Sequence, residues 1–456
     1  MPWHWHSFKT TSTTTTTTAS TCTSCYSQTV SQILPSTLIA SYGFDGDTVD
    51  TLGIYNFTMI NNPTFVQGYF PNGQALHLNS NLSQYLQTSY VNLTYRSWTV
   101  SQWIYVLGFN VQDSSIVGEC VSTTTDQCLH LNIRNPKLFM GFYSDDATGG
   151  TTLQLNQWYH VSFVYDYSIK KQYIYLNGIL DGVSANTPAG PYKGSVGNLT
   201  IGRNFVVRTP LNYFNGYLDS MVFINNVRTA CDIMIDATLA AYYSMDLTLT
   251  DSGPNSLDAQ ASGQTNYTNG HINQAFEFNF AISYFQTGYG FTFLGEKNQA
   301  YSFSLWINPI ALTGTVLHVS SSDTGLDWCL PVIGFSSSGS IIAQTLNSNL
   351  TVITAQGPIL SLNTWTHFVV TWGSTNGLKL YINGTLVTTV SVTSFSANNG
   401  TILPKYVTLA NPLSGVSCSK QGLIGTPGQF YGRIDEFYIF AKELNTSDVC
   451  VLCSYK

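Results

Sequence analysis

The chain has 456 residues, of which 9% are charged, whereas about 25% are charged in an ordinary soluble domain. Its formal net charge is -7 at pH 7, and it contains no run of Lys or Arg that could bind a phosphate backbone, which argues against nucleic acid as a partner. No apolar run approaches the ~18 to 20 residues of a membrane-spanning helix, so we expect no transmembrane segment. Tyr, Phe and β-branched residues are abundant without helical spacing, and this composition predicts an all-β protein.

The N-terminal residues 1–35 are of low complexity and include the six threonines from Thr13 to Thr18. Such a segment has too little apolar surface to offset the entropy lost on ordering. We therefore expect a disordered linker, either unmodified or an O-glycosylated stalk. The start of the chain lacks the apolar core of a signal peptide, which indicates either another secretion route or, preferably, a piece of a longer protein.

The rest of the chain carries one pattern twice. A Trp-x-His segment followed by Tyr-x-Asn-Gly begins at Trp158 and again at Trp365. Matched residues extend along the whole length, which predicts a tandem duplication with a first unit at 36–235 and a second unit at 236–456. Each unit is long enough to bury its own core. No Gly/Pro/Ser linker separates the units near 229–238, so we expect them to be closely coupled.

Within each unit, short stretches alternate apolar and polar residues, which is typical of strands. The pairs Asn177-Gly178 and Asn383-Gly384 predict type I′ hairpin turns, because both central residues of that turn need positive φ. Many short strands with Gly and Asn turns predict a two-sheet sandwich. One short helix is expected within 444–449, with Asn or Thr as its N-cap.

Nine cysteines indicate an oxidising compartment and a disulfide framework. Two Cys-x-x-Cys spacings invite a zinc interpretation, but four converging ligands would be needed and disulfides are the better explanation in a secreted protein. Cys120 and Cys128 have a hairpin-like spacing, and the odd count leaves one thiol over. The expected pairs are Cys120 with Cys128, Cys329 with Cys418, and Cys231 with Cys450 or Cys453.

Nine Asn-x-Ser/Thr sequons also point to secretion or to the extracellular face, with glycosylation expected at these sites. They are Asn56, Asn81, Asn92, Asn198, Asn266, Asn349, Asn383, Asn399 and Asn445.

The repeated motif resembles a known family. Trp-x-His, Tyr-x-Asn-Gly, the segment Ile201-Gly202-Arg203 and a closing Phe-x-Gly-x-(Ile/Leu)-Asp at 214–219 and 430–435 are similar to the LamG-like (laminin G, pentraxin-like) jelly-roll branch of the concanavalin A-like lectin/glucanase superfamily. This resemblance implies two tandem concanavalin A-like jelly-roll β-sandwiches.

The family commonly binds calcium, so the resemblance implies a calcium site, and the residues suggest where. By a period of two, Asp219 and Asp435 share a face with core residues, and a buried carboxylate needs a partner. Calcium is one such partner, and backbone N–H groups at a strand end are the alternative. The candidate ligands are Asp246, Asp251 and Asp435 in the second unit and, less favourably, Asp45 and Asp219 in the first.

Catalysis is not expected. The active strand of the glucanases resembles Glu-x-Asp-x-x-Glu, which places carboxylates on one face, whereas here Glu436 is expected on the face opposite to Asp435. His160 and His367 lie two residues after a Trp without an accompanying nucleophile, so we interpret them as structural.

The predicted function is therefore a non-enzymatic extracellular recognition or adhesion module that binds a glycan or protein through loops at the sandwich rim, in a way that calcium could assist. The alternative is a structural spacer within a larger secreted or cell-surface protein, and a glycoside hydrolase is the third choice. Aromatic clusters such as Tyr85 with Tyr90, or Tyr284 and Phe285 with Tyr289, occur at matching places in both units, which favours core packing over a sugar site.

Overall fold

A computed structural model describes most of the chain. The described residues are 24–27, 36–70, 73–110, 112–120, 122–185, 188–194, 197–205, 212–263, 266–397, 404–418, 420–425 and 428–454.

The first unit contains fifteen strands and a helix within the described residues. The strands are β1 Leu38–Tyr42, β2 Thr58–Ile60, β3 Thr64–Gln67, β4 Gln74–Leu78, β5 Tyr85–Thr88, β6 Trp98–Gly108, β7 Ser114–Glu119, β8 Leu129–Arg134, β9 Lys137–Gly141, β10 Asp146–Thr148, β11 Trp158–Asp166, β12 Lys171–Leu176, β13 Ile179–Val183, β14 Leu199–Ile201 and β15 Asn215–Ile224. Helix α1 is Ala230–Thr238, and short 3-10 turns lie at Cys25–Ser27 and Ser80–Leu82.

The second unit repeats this series strand for strand. Its strands are β16 Leu239–Tyr243, β17 Ala259–Ser262, β18 Asn266–Asn269, β19 Gln274–Phe278, β20 Tyr284–Thr287, β21 Tyr301–Pro309, β22 Thr315–Ser320, β23 Cys329–Phe335, β24 Ser340–Leu346, β25 Val352–Ile359, β26 Thr366–Gly373, β27 Gly377–Ile382, β28 Thr385–Val390, β29 Tyr406–Leu409 and β30 Gly432–Phe440. Helix α2 is Thr446–Ser454, and 3-10 turns lie at Thr292–Gly295 and Leu413–Ser417.

Each unit is a sandwich of two sheets. In the first unit, the front sheet has the order β13-β12-β11-β6-β15-β4-β3 with β1 beside β15, and the back sheet has the order β10-β9-β8-β7-β14-β5-β2. In the second unit, the front sheet is β18-β19-β30-β21-β26-β27-β28 with β16 beside β30, and the back sheet is β17-β20-β29-β22-β23-β24-β25. The two units therefore have the same strand order, as a duplication requires.

The two cores lie between the sheets and are rich in aromatic residues. Trp98, Phe163 and Tyr42 are fully buried in the first core, and Trp372 and Tyr243 are fully buried in the second. Because side chains alternate with a period of two, the intervening residues of each strand in the front sheet lie on the outer face. The candidate sites are on this outer face.

The hairpin turns and the C-terminal helix follow the sequence prediction. Asn177 and Gly178 have φ of 50° and 82°, and Asn383 and Gly384 have φ of 48° and 76°, as a type I′ turn requires. In α2, the side chain of Asn445 accepts a hydrogen bond from the backbone N–H of Asp448 at 3.0 Å.

Helix α1, at the junction of the units, was not predicted. A capping box between Thr229 and Asp232 starts it, and this signal could have been found in the sequence. Ile233 packs beside Val164 of the first unit, while Ile235 packs beside Val369 of the second unit. The helix therefore couples the two units, as the missing linker suggested.

The disulfides agree with expectation in two cases and not in the third. Cys120 bonds to Cys128, and Cys329 bonds to Cys418. The expected bond from Cys231 to the C-terminal cysteines is wrong, because Cys231 lies in the first turn of α1 and bonds to Cys25. Cys450 is also disulfide-bonded, and Cys453 is a free thiol.

Part of the segment expected to be disordered is folded. Tyr26 is 6% exposed; its hydroxyl lies 2.6 Å from Oγ1 of Thr238 at the end of α1, and its ring meets Phe440 edge to face at 4.9 Å. Ser24 hydrogen-bonds Asp448 of α2. Residues 24–26, which we term the N-terminal clasp, thus contact both helices. The Thr13 to Thr18 run lies outside the described residues.

Candidate functional site

A β-bulge moves the predicted metal-site carboxylates to the outer face of the front sheet. Ser220 and Glu436, which follow Asp219 and Asp435, both have φ of 51°, and each strand shifts register there. The extra residue interrupts the period of two. Asp219 is therefore the register partner of Trp103 of β6, and its side chain lies on the outer face and not in the core. The expectation that these carboxylates face the core is therefore wrong.

Backbone N–H groups satisfy both carboxylates. Oδ2 of Asp435 accepts from the N–H groups of His271 and Ile272 at 2.8 and 2.9 Å, and Oδ2 of Asp219 accepts from Tyr69 at 2.7 Å. Burial raises the pKa of Asp435 to about 8 and that of Asp219 to about 7. Each carboxylate thus holds the loop after β3 or β18 against the front sheet.

Asp45 and Asp246 hold the other end of the same loops. Oδ1 of Asp45 accepts from the N–H of Gln74 at 2.7 Å, and Oδ1 of Asp246 accepts from the N–H of Gln274 at 2.9 Å. The same backbone contact occurs in both units, so the two aspartates are a repeated structural feature that fixes this loop.

Asp251 caps a different turn. It accepts from the N–H groups of Tyr242, Gly253 and Leu257 at 2.9, 2.7 and 3.0 Å. Its counterpart in the first unit is Asp50, which accepts from Ser41 at 3.0 Å. Sequence reasoning missed Asp50, although its position nine residues after the strand residue Ser41 repeats that of Asp251 after Tyr242.

These five aspartates do not fit a calcium site as arranged. Calcium needs six to eight converging oxygens, but the carboxylate oxygens are engaged by backbone N–H groups, and Asp251 serves another turn. Among the described residues, no group of three His, Cys, Asp or Glu side chains could hold a metal ion. The alternative expectation, in which backbone N–H groups are the partners of these carboxylates, therefore describes their arrangement.

The expected separation of Asp435 and Glu436 onto opposite faces is also wrong, because the bulge places both on the outer face. Glu436 accepts from the hydroxyls of Tyr242 and Tyr438 at 2.7 and 3.1 Å. Asp435 and Glu436 are 0% and 5% exposed, so a sugar could not reach them as glycoside hydrolysis demands.

The two histidines are buried and neutral. Burial lowers the pKa of His160 and of His367 to about 3. The ring of His367 hydrogen-bonds Ser304 at 2.9 Å, a partner that sequence reasoning missed; in the first unit, Ser101 bonds Ser162 instead. Ser304 is 0% exposed, so this Ser–His pair has no access to a substrate.

The front sheet of the first unit carries four aromatic side chains in a line, which we term the aromatic row. They are His77, Tyr217, Tyr105 and Trp158, on the adjacent strands β4, β15, β6 and β11. Strand pairing places His77 opposite Tyr217, Tyr217 opposite Tyr105, and Tyr105 opposite Trp158. With strands about 4.8 Å apart, the backbone positions of the row span about 14 Å, while the rings are drawn closer together, since Trp158 also lies 6.3 Å from Tyr217.

The rings of the row contact one another and are half-buried. Tyr105 and Tyr217 stack at 5.0 Å with an interplanar angle of 15°. His77 meets Tyr217 edge to face at 5.1 Å, and Trp158 lies 5.5 Å from Tyr105. Burial raises the pKa of Tyr105, and the electrostatic effect of Tyr217 raises it further. The hydroxyl of Tyr105 is therefore neutral and can donate a hydrogen bond.

A buried stack supports the row from one side. Tyr69 stacks on Trp103 with ring centroids 3.5 Å apart and lies 5.8 Å from Trp158. In the second unit, His271 stacks on Trp306 at 3.4 Å. Both stacks are fixed by the carboxylate-held loops described above.

The corresponding line in the second unit is polar. Its residues are Glu277, Arg433, Asn308 and Trp365. Nε of Arg433 forms an ion pair with Glu277 at 3.0 Å, and Asn308 is 5% exposed. The aromatic surface is therefore specific to the first unit.

Sequence reasoning missed the aromatic row because its members are far apart in the chain. A signal existed, since Tyr105 and Tyr217 occupy alternate, outward positions of strands whose inward residues are apolar. Of the clusters considered, Phe285 is in the core and Tyr85 is 9% exposed, whereas Tyr289 is 40% exposed.

The sequons within the described residues all have exposed asparagines, at Asn56, Asn81, Asn92, Asn198, Asn266, Asn349, Asn383 and Asn445. Asn399 lies outside the described residues. Glycosylation at these sites stays a prediction.

Solved structures with similar folds are distant in sequence. Domain 4 of AbnA, a GH43 extracellular arabinanase from Geobacillus stearothermophilus, is 20% identical, with 44% of this chain and 98% of that domain covered and a TM-score of 0.37. The receptor binding domain of Botulinum Neurotoxin Type G is 15% identical, with 46% and 50% covered and a TM-score of 0.32; the chain thus spans about half of its length. Mouse laminin alpha1 LG4-5 is 13% identical, with 78% and 85% covered and a TM-score of 0.27.

With such low scores, these similarities do not bear on the ligand of this chain. No curated protein sequence is significantly similar to it. No helix in the described part of the chain is both long and apolar enough to cross a membrane.

The family comparison is decisive because it covers most of both units. A laminin G model of the family described as Concanavalin A-like lectin/glucanases superfamily matches residues 79–234 and again 283–450. These two matches fall on the two sandwiches, which have the same strand order. The chain belongs to the concanavalin A-like lectin/glucanases superfamily, as a tandem pair of laminin G-type jelly rolls.

Proposed function

We propose that the chain is a non-enzymatic carbohydrate-binding module that binds its glycan on the aromatic row of the first unit. The observation that carries this proposal is the in-register set of four half-buried aromatic side chains across β4, β15, β6 and β11. A pyranose ring presents C–H groups on its faces, and these are attracted to the negative face of an aromatic ring.

The geometry favours a sugar chain over other ligands. The row spans four adjacent strands, with about 14 Å between its outer backbone positions, which suits a short oligosaccharide lying across the strands. The rings are held by mutual contacts, so little side-chain entropy is lost on binding. The phenol of Tyr105 and the ring nitrogens of His77 and Trp158 supply polar groups for sugar hydroxyls.

A structural spacer is the alternative. A spacer gains nothing from four aromatic rings on a solvent-facing sheet, where alternate positions are usually polar. Alanine substitutions in the row would leave a spacer unchanged, and this separates the two functions.

An extracellular location is part of the proposal, since disulfides form and persist in oxidising compartments. The hydrogen bonding of the five aspartates supports recognition that does not require calcium. We expect calcium to leave the melting temperature unchanged, because a ligand that binds only the native state would raise it. A rise at millimolar calcium would restore a metal site to the proposal.

The test is glycan-array binding of the full chain, followed by calorimetry with the best glycan. Trp158→Ala should weaken binding at least ~10-fold, as expected for an aromatic contact worth about 1.4 kcal/mol or more. Trp365→Ala, the matched change in the second unit, should leave the affinity unchanged. Absence of any bound glycan, or equal affinity of wild type and Trp158→Ala, would contradict the proposal.

A further inference from the structure

The second unit contacts the first beside the aromatic row. Oγ1 of Thr292 donates a hydrogen bond to the backbone carbonyl of Tyr69 at 3.0 Å. The next residue, Phe70, packs against the core cluster of the second unit. The 3-10 turn Thr292–Gly295 therefore lies against the loop that carries Tyr69, whose ring is 5.8 Å from Trp158 of the row.

Glu296 directly follows this turn, which lies against the loop that carries Tyr69. Its backbone N–H is fixed by the carbonyl of Phe293 at 3.3 Å. Burial and then the charge of Glu296 raise the pKa of Tyr69, and the same charge contributes, after burial and Tyr217, to the raised pKa of Tyr105. The charge of Glu296 thus acts on two phenols of the first unit.

The carboxylate of Glu296 has unused hydrogen-bonding capacity. It is half-buried, and burial raises its pKa to about 7. Within the described residues, neither an ion pair nor a hydrogen bond engages its carboxylate oxygens. A desolvated acceptor without a partner binds a donor strongly, and the donors available above an aromatic platform are the hydroxyl and amino groups of a stacked sugar.

Another acidic side chain lies near the loop of Tyr69, and the row itself contributes no Lys or Arg to oppose its charge. Asp219 lies behind Tyr69 and accepts its N–H at 2.7 Å. Lys297 is the next residue after Glu296 but is exposed, and it is the one nearby cation in sequence that could work against this field. Above pH about 7, where Glu296 is ionised, an anionic sugar placed on the row would therefore meet its negative charge, which is unfavourable.

We infer that Glu296 of the second unit completes the binding site of the first unit by accepting hydrogen bonds from sugar hydroxyl or amino groups. The site then takes neutral or amino glycans and rejects acidic ones. This inference rests on the proposed function, and it makes Glu296 a specificity-determining residue contributed across the junction of the units. It also explains why a binding unit is joined to a second unit whose own row is polar.

The experiment presents the full chain to a printed array that contains neutral, amino and acidic glycans, the acidic members carrying uronate, sialate or sulfate. Glu296→Gln is compared with wild type at pH 8, above the pKa of about 7 of Glu296, since it keeps the shape of the side chain and removes its charge. Two matched controls are Lys297→Gln, which changes the neighbouring charge, and Glu277→Gln, which changes the corresponding row of the second unit. Thermal melting verifies that each variant is folded.

We expect wild type to bind neutral or amino glycans, Glu296→Gln to weaken this binding ~10-fold or more, and both controls to keep it. Binding lost in Trp158→Ala but unchanged in Glu296→Gln would overturn this inference and leave the proposed function intact, as would row-dependent preference for acidic glycans. Binding of no glycan, or binding independent of the row, would overturn both.

Discussion

The two units share a strand order and a core plan, yet they differ on the outer face of the front sheet. In the first unit, Tyr217 stacks on Tyr105 at 5.0 Å, whereas in the second unit the matched Arg433 pairs with Glu277 at 3.0 Å. Inward positions set the sandwich, because burial of apolar area supplies most of the stability. Outward positions are free of that constraint, so a duplicated domain can acquire a ligand surface in one copy alone.

The cores also differ in two polar residues. Gln102 and Gln172 point into the core of the first unit and are 1% and 0% exposed, where the second unit has Leu305 and Leu378. Both amide groups lack a hydrogen-bond partner among the described residues. The first unit therefore carries a stability cost that the second does not.

The largest expected effect comes from substitutions that replace residues of the aromatic row with their counterparts in the second unit. The double variant His77→Glu with Tyr217→Arg should reduce glycan affinity at least about 30-fold, because the loss of two ring contacts costs roughly 2 kcal/mol. Calorimetry with the best array glycan measures this. The reciprocal change, Glu277→His with Arg433→Tyr, should leave the affinity as it is. Retained affinity in the first variant would refute the row as the site.

The N-terminal clasp tests how the two units are held together. Tyr26→Ala should lower the free energy of unfolding by about 3 kcal/mol, since it empties a buried space between α1 and α2. Tyr26→Phe should lower it by only about 1 kcal/mol, because only the hydroxyl bond to Thr238 is lost. Urea denaturation measures both. Equal stability of Tyr26→Ala and wild type would show that the clasp does not couple the helices.

Removing the polar core residues should make the first unit resemble the second. Gln102→Leu and Gln172→Leu should each raise the free energy of unfolding by about 1 to 3 kcal/mol, because each removes an unsatisfied buried amide. Denaturant midpoints measure the change, with Gln87→Leu on the outer face of the back sheet as the control. A lower midpoint in either core variant would mean that the amide is satisfied in solution.

A pH series tests a third difference, the buried Glu119, whose counterpart by strand pairing in the second unit is Val319. Burial raises the pKa of Glu119 to about 8, above its ordinary value, so the neutral form stabilises the fold at low pH. That stabilisation is lost as pH rises from about 4.5 through about 8. Glu119→Gln should gain stability relative to wild type across this range, by about 1 kcal/mol per pH unit. A constant difference from pH 5 to pH 8 would contradict the raised pKa.

Much of the architecture could be predicted without coordinates. The repeat, the hairpins at Asn177 and Asn383 and the disulfide of Cys120 with Cys128 follow from local spacing. Each depends on residues close in the chain or on a pattern repeated along it. Helix α1 has an equally local signal in its Thr229 and Asp232 capping box, so it belongs to the part of the fold that the sequence encodes locally.

The candidate sites were less predictable, for two physical reasons. The positive φ of Ser220 and Glu436 inserts a bulge that no period-two argument anticipates, and it reversed the predicted orientation of Asp219 and Asp435. The bond from Cys25 to Cys231 joins residues separated by almost the whole first unit. Sequence spacing contains no information on such a contact.

By itself, the sequence determined a duplicated, aromatic-rich β-sandwich, because hydrophobic periodicity and turn chemistry are encoded over a few residues at a time. Only the tertiary structure decided that His77, Tyr105, Trp158 and Tyr217 form one surface and that the turn before Glu296 lies against the loop of Tyr69. Strand register and the docking of one unit against the other bring these side chains together, and both arise from packing across the whole chain.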